Sequence, residues 1–463
     1  MADNPKYLTA PQKLTTMPPG IPYIVGNEAA ERFNFYGMRA VLFVFMTKYL
    51  VDRDGNLAPM GENEANRWYH LFLFANYFVP TVGAILSDAF WGKYRTIFWL
   101  SLVYCAGSVV LALDHTRFGL TLGLTLIAIG SGGIKPCVSA HVGDQFSVSN
   151  QHLLARAFGW FYFAINAGSA ISMWVVPILL AEYSASFAFG LPAALMLIAT
   201  WVFWMGRYKF AHIPPGGKAF LRETFSREGC LAIGRLALIF AFMIAFWALW
   251  DQSGSEWVAQ ADRMDLTVSI FGFSHTLLSS QIQVINGLLI VTFIPLFQYV
   301  VYPAINRVWR LTPLRKIGLG LVTIGLSFFV SAWIETRLAT GVKLNIVWQM
   351  PAYFLLTAGE VMASITALEF AYTQAPKNMK SMIQSLYLLA ISLGNLFAAG
   401  VHWVIANPDG TTKLTGAAYY SFYAWFSIGA AMIFTVFALR YREKTYLQDV
   451  TTTEVAAETT ANP

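Results

Sequence analysis

Two carboxylates and two guanidinium groups lie inside one apolar stretch of this chain, IPYIVGNEAAERFNFYGMRAVLFVFMTKYL. Glu28, Glu31, Arg32, Phe35, Tyr36 and Arg39 recur at helical spacing and so share one face of a helix. A charge at mid-membrane costs roughly 2.5–3.5 kcal/mol even on a lenient insertion scale, so such residues are rare and usually functional. Two carboxylates one turn apart cannot both ionise cheaply in a low dielectric, which makes Glu28 and Glu31 candidate proton carriers. Arg32 can stabilise their ionised form. A carboxyl that switches between paired and unpaired states takes up and releases a proton. The plainer alternative is a static Glu–Arg pair that pins one helix to another. A polar, partly cationic stripe backed by apolar residues suits a helix lining a transport pathway.

Other buried charges are spread along the chain. Lys135 sits in GGIKPC, where Gly132, Gly133 and Pro136 loosen the helix ladder. Its depth inside an apolar run leaves no route for the side chain to reach an interface. Glu360 sits mid-run in LLTAGEVMAS. Glu369 is nine residues on and half a turn round, so it cannot share that face and reads as a gate or a structural residue. Asp251 sits near one end of its run and is expected to pair with a basic residue of the first half; the spacing does not say which. His70, in WYHLFLFANYF, is expected to face outward and take up a proton, against the plainer reading of a satisfied structural histidine. The other six histidines carry no signal of their own.

The elements that must position these groups are transmembrane helices. The chain has 463 residues, of which 56% are hydrophobic and 12% charged. Soluble domains average about 25% charged, so this is a polytopic membrane protein. Apolar runs predict twelve spans at 22–50, 66–90, 95–113, 119–142, 155–180, 187–208, 232–258, 281–303, 314–335, 346–372, 379–404 and 417–440. The N-terminal residues lack the pattern of a cleavable signal peptide. Cys105, Cys137 and Cys230 fall in separate segments, which suggests neither a disulfide framework nor a metal cluster.

Placing the N-terminus in the cytoplasm puts twenty of the 31 lysines and arginines on that side. Seven fall outside, and Arg32, Arg39, Lys48 and Lys135 fall within spans. The asymmetry predicts that both termini are cytoplasmic in a multi-pass protein of the cell membrane. It also accounts for the net charge of +6 without nucleic acid as a partner. The expected domains are a segment 1–21, a six-helix bundle 22–208, a basic, Pro/Gly-bearing link 209–231, a second six-helix bundle 232–441, and a tail 442–463 expected to be disordered. Two bundles of six suggest rocking about a central site.

The motifs carry a resemblance. EAAERFNFYG (28–37) resembles the ExxERFxYYG signature of the proton-coupled oligopeptide transporters of the major facilitator superfamily, with Phe35 in place of the first Tyr. GSGGIKPCVSAHVGDQF (130–146) and FYFAINAGS (161–169) resemble the other two signatures of that family. FWALWDQSGSEW (246–257), QIQVINGLLIV (281–291) and 353–381 extend the match through the second half. GAILSDAFWGKYRT (83–96) resembles the loop motif of the superfamily. The motifs read closest to the animal branch. The large external domain of mammalian members is absent, since only 336–345 joins the ninth and tenth spans. The helix pair that many bacterial members insert between the halves is absent too.

The resemblance implies an all-α fold of twelve transmembrane helices in two six-helix bundles, and symport of di- and tripeptides with protons. It implies that Arg39 and Lys135 hold the peptide carboxylate and that Glu360 and Asn286 hold its amine. Asn166 and Tyr36 would contact the backbone and side chains, and Phe35, Tyr77, Trp247 and Tyr387 would line the pocket. Glu28, Glu31, Arg32, Lys135 and His70 would couple protons. Asp251, Asp88 with Lys93 and Arg95, and Glu369 would act as gates. No catalytic residue, metal or organic cofactor is implied; the coupling ion is the proton, and the partners are peptides, protons and the bilayer.

Three rival classes compete with this reading. A transporter of nitrate or another plain anion is disfavoured because the Glu360 carboxylate would repel its cargo. A non-transporting peptide receptor has no use for a proton cycle. A redox membrane enzyme would carry paired histidines for haem or cysteine clusters. ATP-driven transport lacks a GxxxxGK[ST] phosphate loop.

Overall fold

A computed structural model describes residues 7–217, 222, 226–270, 273–373, 380–408 and 411–441. The tail 442–463 and the link residues 218–221 and 223–225 lie outside the described residues, as do Lys6 and Lys377. The long helices are α1 (Ile21–Lys48), α2 (Glu62–Trp91), α3 (Lys93–Leu113), α4 (Arg117–Gly143), α5 (Arg156–Tyr183) and α6 (Ala185–Tyr208) in the first half. The second half has α7 (Ile233–Asp262), α8 (Ser279–Val308), α9 (Pro313–Ala339), α10 (Ile346–Phe370), α11 (Gln384–Ile405) and α12 (Gly416–Arg440). Eleven of them are long and apolar enough to cross a membrane. The remaining one is α1, whose length suffices but whose buried face carries Glu28, Glu31 and Arg39.

Local chemistry sets the helix ends. The side chains of Thr116, Ser184 and Thr312 accept from the amides of Gly119, Phe187 and Arg315 and so cap α4, α6 and α9. Gly92, at φ +77°, turns the chain between α2 and α3, a conformation that favours glycine. Among the described residues, four helices contain a wide π-helical turn: Ser87–Trp91, Leu179–Tyr183, Phe297–Val301 and Val361–Ile365. A short antiparallel hairpin, β1 (Thr267–Ile270) and β2 (Phe273–Thr276), follows α7. It is pinned to the start of α10 by Asn345 Nδ2, which donates to the Thr267 carbonyl at 2.7 Å. The Thr267 amide and Asn345 hold the Asp265 carboxyl below its usual range.

The described residues form two main hydrophobic cores. One is built from residues between Ile21 and Phe210, with Val258 and Ala259 added; the other runs from Leu236 to Phe434. Within the first, α2 and α4 touch backbone to backbone. A Cβ on Gly83 would collide with the Gly132 carbonyl oxygen. Gly83→Ala is therefore expected to force these helices apart, at a cost of roughly 1–3 kcal/mol for overpacking. A thermal melt of the purified chain should fall for Gly83→Ala and stay put for Gly143→Ala, where a Cβ meets nothing within 4 Å. Equal melting of both would remove the close-approach explanation.

The halves meet along α2–α11, α5–α8 and the ends of α1 and α7. Polar contacts seal the end where α1 finishes and α2 begins. Lys48 Nζ pairs with Asp262 Oδ2 at 2.5 Å, and Asn66 Nδ2 donates to Glu256 Oε1 at 2.8 Å. Asn63 Nδ2 donates to the His402 carbonyl at 3.0 Å, and Gln281 Nε2 to the Trp174 carbonyl at 3.1 Å. Lys48 was expected inside a span. It lies instead on the last turn of α1, partly exposed, because the helix stops there and α7 runs on to meet it.

Candidate functional site

Helical spacing brings the α1 charges together as expected. Arg32 Nε lies 2.7 Å from Glu28 Oε1 and 3.3 Å from Glu31 Oε2. Glu28 Oε2 and Glu31 Oε1 are buried with no hydrogen-bond partner among the described residues. Lys135 joins them from α4. Its ammonium sits 3.8 Å above the Phe35 ring and 4.4 Å above Tyr77. It too has no hydrogen-bond partner among the described residues, and its charged neighbours are Glu31, Arg32, Arg39 and Glu28. An ammonium over aromatic faces is attracted without being neutralised. This is a cluster with spare valence on both signs.

Arg39, one turn beyond Phe35, is committed elsewhere. Its Nη2 donates to Asp251 Oδ1 of α7 at 2.6 Å, and its Nε donates to Tyr69 Oη at 2.9 Å. Arg39 is 3% exposed and Asp251 fully buried. Asp251 thus has the first-half basic partner that the sequence left unnamed. In this conformation Arg39 closes the seam, so its expected role as carboxylate clamp competes with Asp251.

The Arg39 guanidinium also stacks on Trp250, 5.1 Å from the ring centre. Trp250 Nε1 donates to Glu360 Oε2 at 3.0 Å. The same oxygen accepts from Asn286 Nδ2 at 2.9 Å. Glu360 and Asn286 are therefore together, on α10 and α8. Tyr36 lies within electrostatic reach of Arg32, Arg39 and Glu360. Trp247 meets Trp250 and Tyr387 edge-on at 5.3 and 5.9 Å, and Tyr387 bonds Ser364 at 2.5 Å. Asn166 stands apart: it is exposed and donates to the Tyr162 carbonyl of its own helix at 2.8 Å. Trp250 escaped the sequence reading. Its neighbour Trp247 lies in the same motif, and only the helix rotation distinguishes them.

His70 corrects an expectation. It was expected to face outward, but it is fully buried in the seam. Asn395 gives its amide N–H to Asp251 Oδ2 at 2.5 Å, so its Oδ1 accepts from His70 Nδ1 at 2.8 Å. The physical reason is closure: α11 and the end of α7 cover the α2 face that carries His70. A second correction concerns His402, which the sequence gave no reason to single out. It stacks on His70 at 6.0 Å, contacts Tyr419 Oη at 2.9 Å, and lies 3.7 Å from Glu256. A lone histidine in VHWVI gives no hint of partners 17 to 339 residues away.

Two gate candidates lie away from this cluster. Lys93 of the loop motif pairs with Asp144 at 2.8 Å, and the Asp88 carbonyl accepts from the Gly216 amide at 2.7 Å, tying the link to the loop. Glu369 lies beyond the wide turn of α10, in electrostatic reach of Tyr302.

One substitution is expected to unseal the closed end. Asp251→Asn leaves the Arg39 guanidinium buried without its counter-ion, a change that typically costs 3–5 kcal/mol in buried pairs. In a Cys230→Ser background, Ser280→Cys should then react with an impermeant maleimide at least about tenfold faster. Ser280 is 3% exposed in the sealed state, and the other two cysteines are buried. An unchanged labelling rate would show that the pair does not hold this end.

A model of the POT family matches residues 94–227 and 226–420. The chain belongs to the POT family. Peptide transporter family 1 of Drosophila melanogaster is 38% identical over 368 residues, which is 69% of this chain and 48% of that protein. Solute carrier family 15 member 2 of Homo sapiens is 35% identical over 372 residues, 69% of this chain and 49% of that one. The chain spans about half the length of these curated relatives. Among solved structures, an auto-inhibited POT family peptide transporter aligns at TM-score 0.82 and 33% identity, covering 94% of this chain and 99% of its own. The POT family transporter PepTSo aligns at 0.81 and 34%, covering 92% and 98%. POT members are membrane transporters, and the twelve-helix major facilitator fold expected from the sequence is the fold of this chain.

Proposed function

We propose that this chain is a proton-coupled symporter importing di- and tripeptides across the cell membrane by alternating access. The observation that carries the reading is Trp250. One indole stacks on the Arg39 cation and donates to the Glu360 anion. A peptide is a zwitterion with variable side chains. A site that accepts many peptides must grip the two charged ends, and Trp250 joins a cation of one half to an anion of the other.

In this proposal Glu360 and Asn286 hold the amine, and Lys135 holds the carboxylate with Arg39 once Arg39 leaves Asp251. Peptide binding and outer closure then compete for one guanidinium. Tyr36, Tyr77, Trp247, Tyr387 and, in another conformation, Asn166 contact the rest of the peptide. Glu28 and Glu31 carry the proton, with Arg32 and Lys135 stabilising the ionised form, and His70 receives the proton when the outer end opens. Bundles 22–208 and 232–441 rock about the site, with 209–231 between them and both termini cytoplasmic. Asp88 and Glu369 act on the inner side.

The driving force suffices. One proton falling through 100 mV yields about 2.3 kcal/mol. Half a pH unit adds roughly 0.7 kcal/mol. Together about 3 kcal/mol supports a peptide gradient of roughly 150-fold without ATP.

The test is uptake of labelled dialanine into proteoliposomes with and without an inward pH gradient. Accumulation only with the gradient is expected, with unlabelled dipeptide competing and nitrate not. Uptake blocked by nitrate and indifferent to peptides would replace the substrate.

A further inference from the structure

We infer that the groove between the start of α9 and the end of α12 binds one anionic phospholipid of the surrounding membrane. The groove encloses about 490 Å³. Its mouth is formed by Trp309 and Arg315, with the guanidinium stacked 4.7 Å over the indole. Gly318 and Phe434 form the floor, and Leu319 and Val322 continue it inward. A Cβ on Gly318 would stand 3.5 Å from the Phe434 ring, so the missing side chain is what leaves room above that ring.

Three features select the occupant. The first is charge. Among the described residues no acidic side chain lines the groove, and Arg315 is its cation, with Nη1 donating to the Arg310 carbonyl. The groove at the opposite end of the same helix pair is lined by Glu335, which Arg263 already neutralises at 2.7 Å. The second is length. Thr312 to Val322 spans about 15 Å of helix, half of a hydrocarbon core of about 30 Å. The groove is thus one leaflet deep and suits an acyl chain beneath a headgroup. The third is setting. Val308 and Leu439 beside it are 92% and 80% exposed, so the groove opens onto the lipid-facing surface. Its mouth lies at the end of the bundle rich in basic residues, where the leaflet is anionic in the proposed orientation. A phosphate at Arg315 with its chain along Gly318–Val322 uses all three features. The inference rests on the chain spanning a membrane and not on its transporting peptides.

The test is native mass spectrometry of the full chain released from vesicles holding equal phosphatidylglycerol and phosphatidylcholine. One phosphatidylglycerol per chain should be retained in preference. Arg315→Gln should weaken that preference about fivefold, the worth of one basic residue near a surface. Gly318→Leu should abolish retention by plugging the floor, and Val322→Trp serves the same purpose if that variant does not fold. Arg337→Gln, at the far end of α9, should change nothing. Equal retention of both lipids by the unmodified chain would overturn the inference. So would an unchanged preference in Arg315→Gln together with Gly318→Leu or Val322→Trp. Loss of the preference on adding inorganic phosphate alone would mark a free-anion site instead, and would overturn it as well.

Discussion

Lys135→Ala is expected to abolish dialanine accumulation driven by a pH gradient. Lys135 is a buried cation beside two carboxylates whose free oxygens have no hydrogen-bond partner among the described residues. Without it, Glu28 and Glu31 have Arg32 as their close counter-ion. The ionised state loses one of its stabilisers, and proton release stalls. A fall of a hundredfold or more in the driven rate is expected, equivalent to about 3 kcal/mol on the proton-release step. Exchange of labelled for unlabelled peptide across the membrane requires no net proton release and should suffer less. Normal driven uptake in this variant would contradict the coupling role. Equal loss of exchange would make Lys135 a binding residue alone.

The second large effect concerns the anion. Glu360→Gln keeps the shape of the side chain and an oxygen for Asn286 and Trp250, while removing the charge. A hydrogen bond to a charged group contributes about 1.5–3 kcal/mol. Peptides with a free amine should therefore bind roughly 10- to 150-fold more weakly. N-acetylated peptides, which carry no amine charge, should bind almost as before. Competition of labelled dipeptide by each class would measure this. The same loss for both classes would remove the amine-clamp assignment.

What the sequence made legible was what lies close along the chain. The Glu28–Arg32 pair follows from a spacing of four residues, and the polar face of α1 follows from six positions at helical period. The spans were legible because a bilayer demands long apolar runs. Pairings between halves were less so. Asp251 was read as a gate with a basic partner somewhere in the first half, and that partner, Arg39, lies 212 residues away, where only the packing of α7 against α1 could name it. His402 and Trp250 were missed for the same reason: rotation about the helix axis decides what they meet. Lys48 was misplaced because apolar Tyr49 and Leu50 prolonged the run past the last helical turn. The strands 267–270 and 273–276 were not legible because four residues each are too few for a period-two pattern to stand out between two strong helical signals.

The wide turn Val361–Ile365 begins at the residue after Glu360. Such turns are weak points in a helix ladder, where bending is cheap. A swing of Thr366–Phe370 about this joint would carry Glu369 with it and leave Glu360 at rest against Asn286 and Trp250. One helix thereby offers a fixed post and a hinged flap. If Glu360 holds the amine as proposed, an inner passage widened by that swing would leave the amine moored, and release would begin at the carboxylate end.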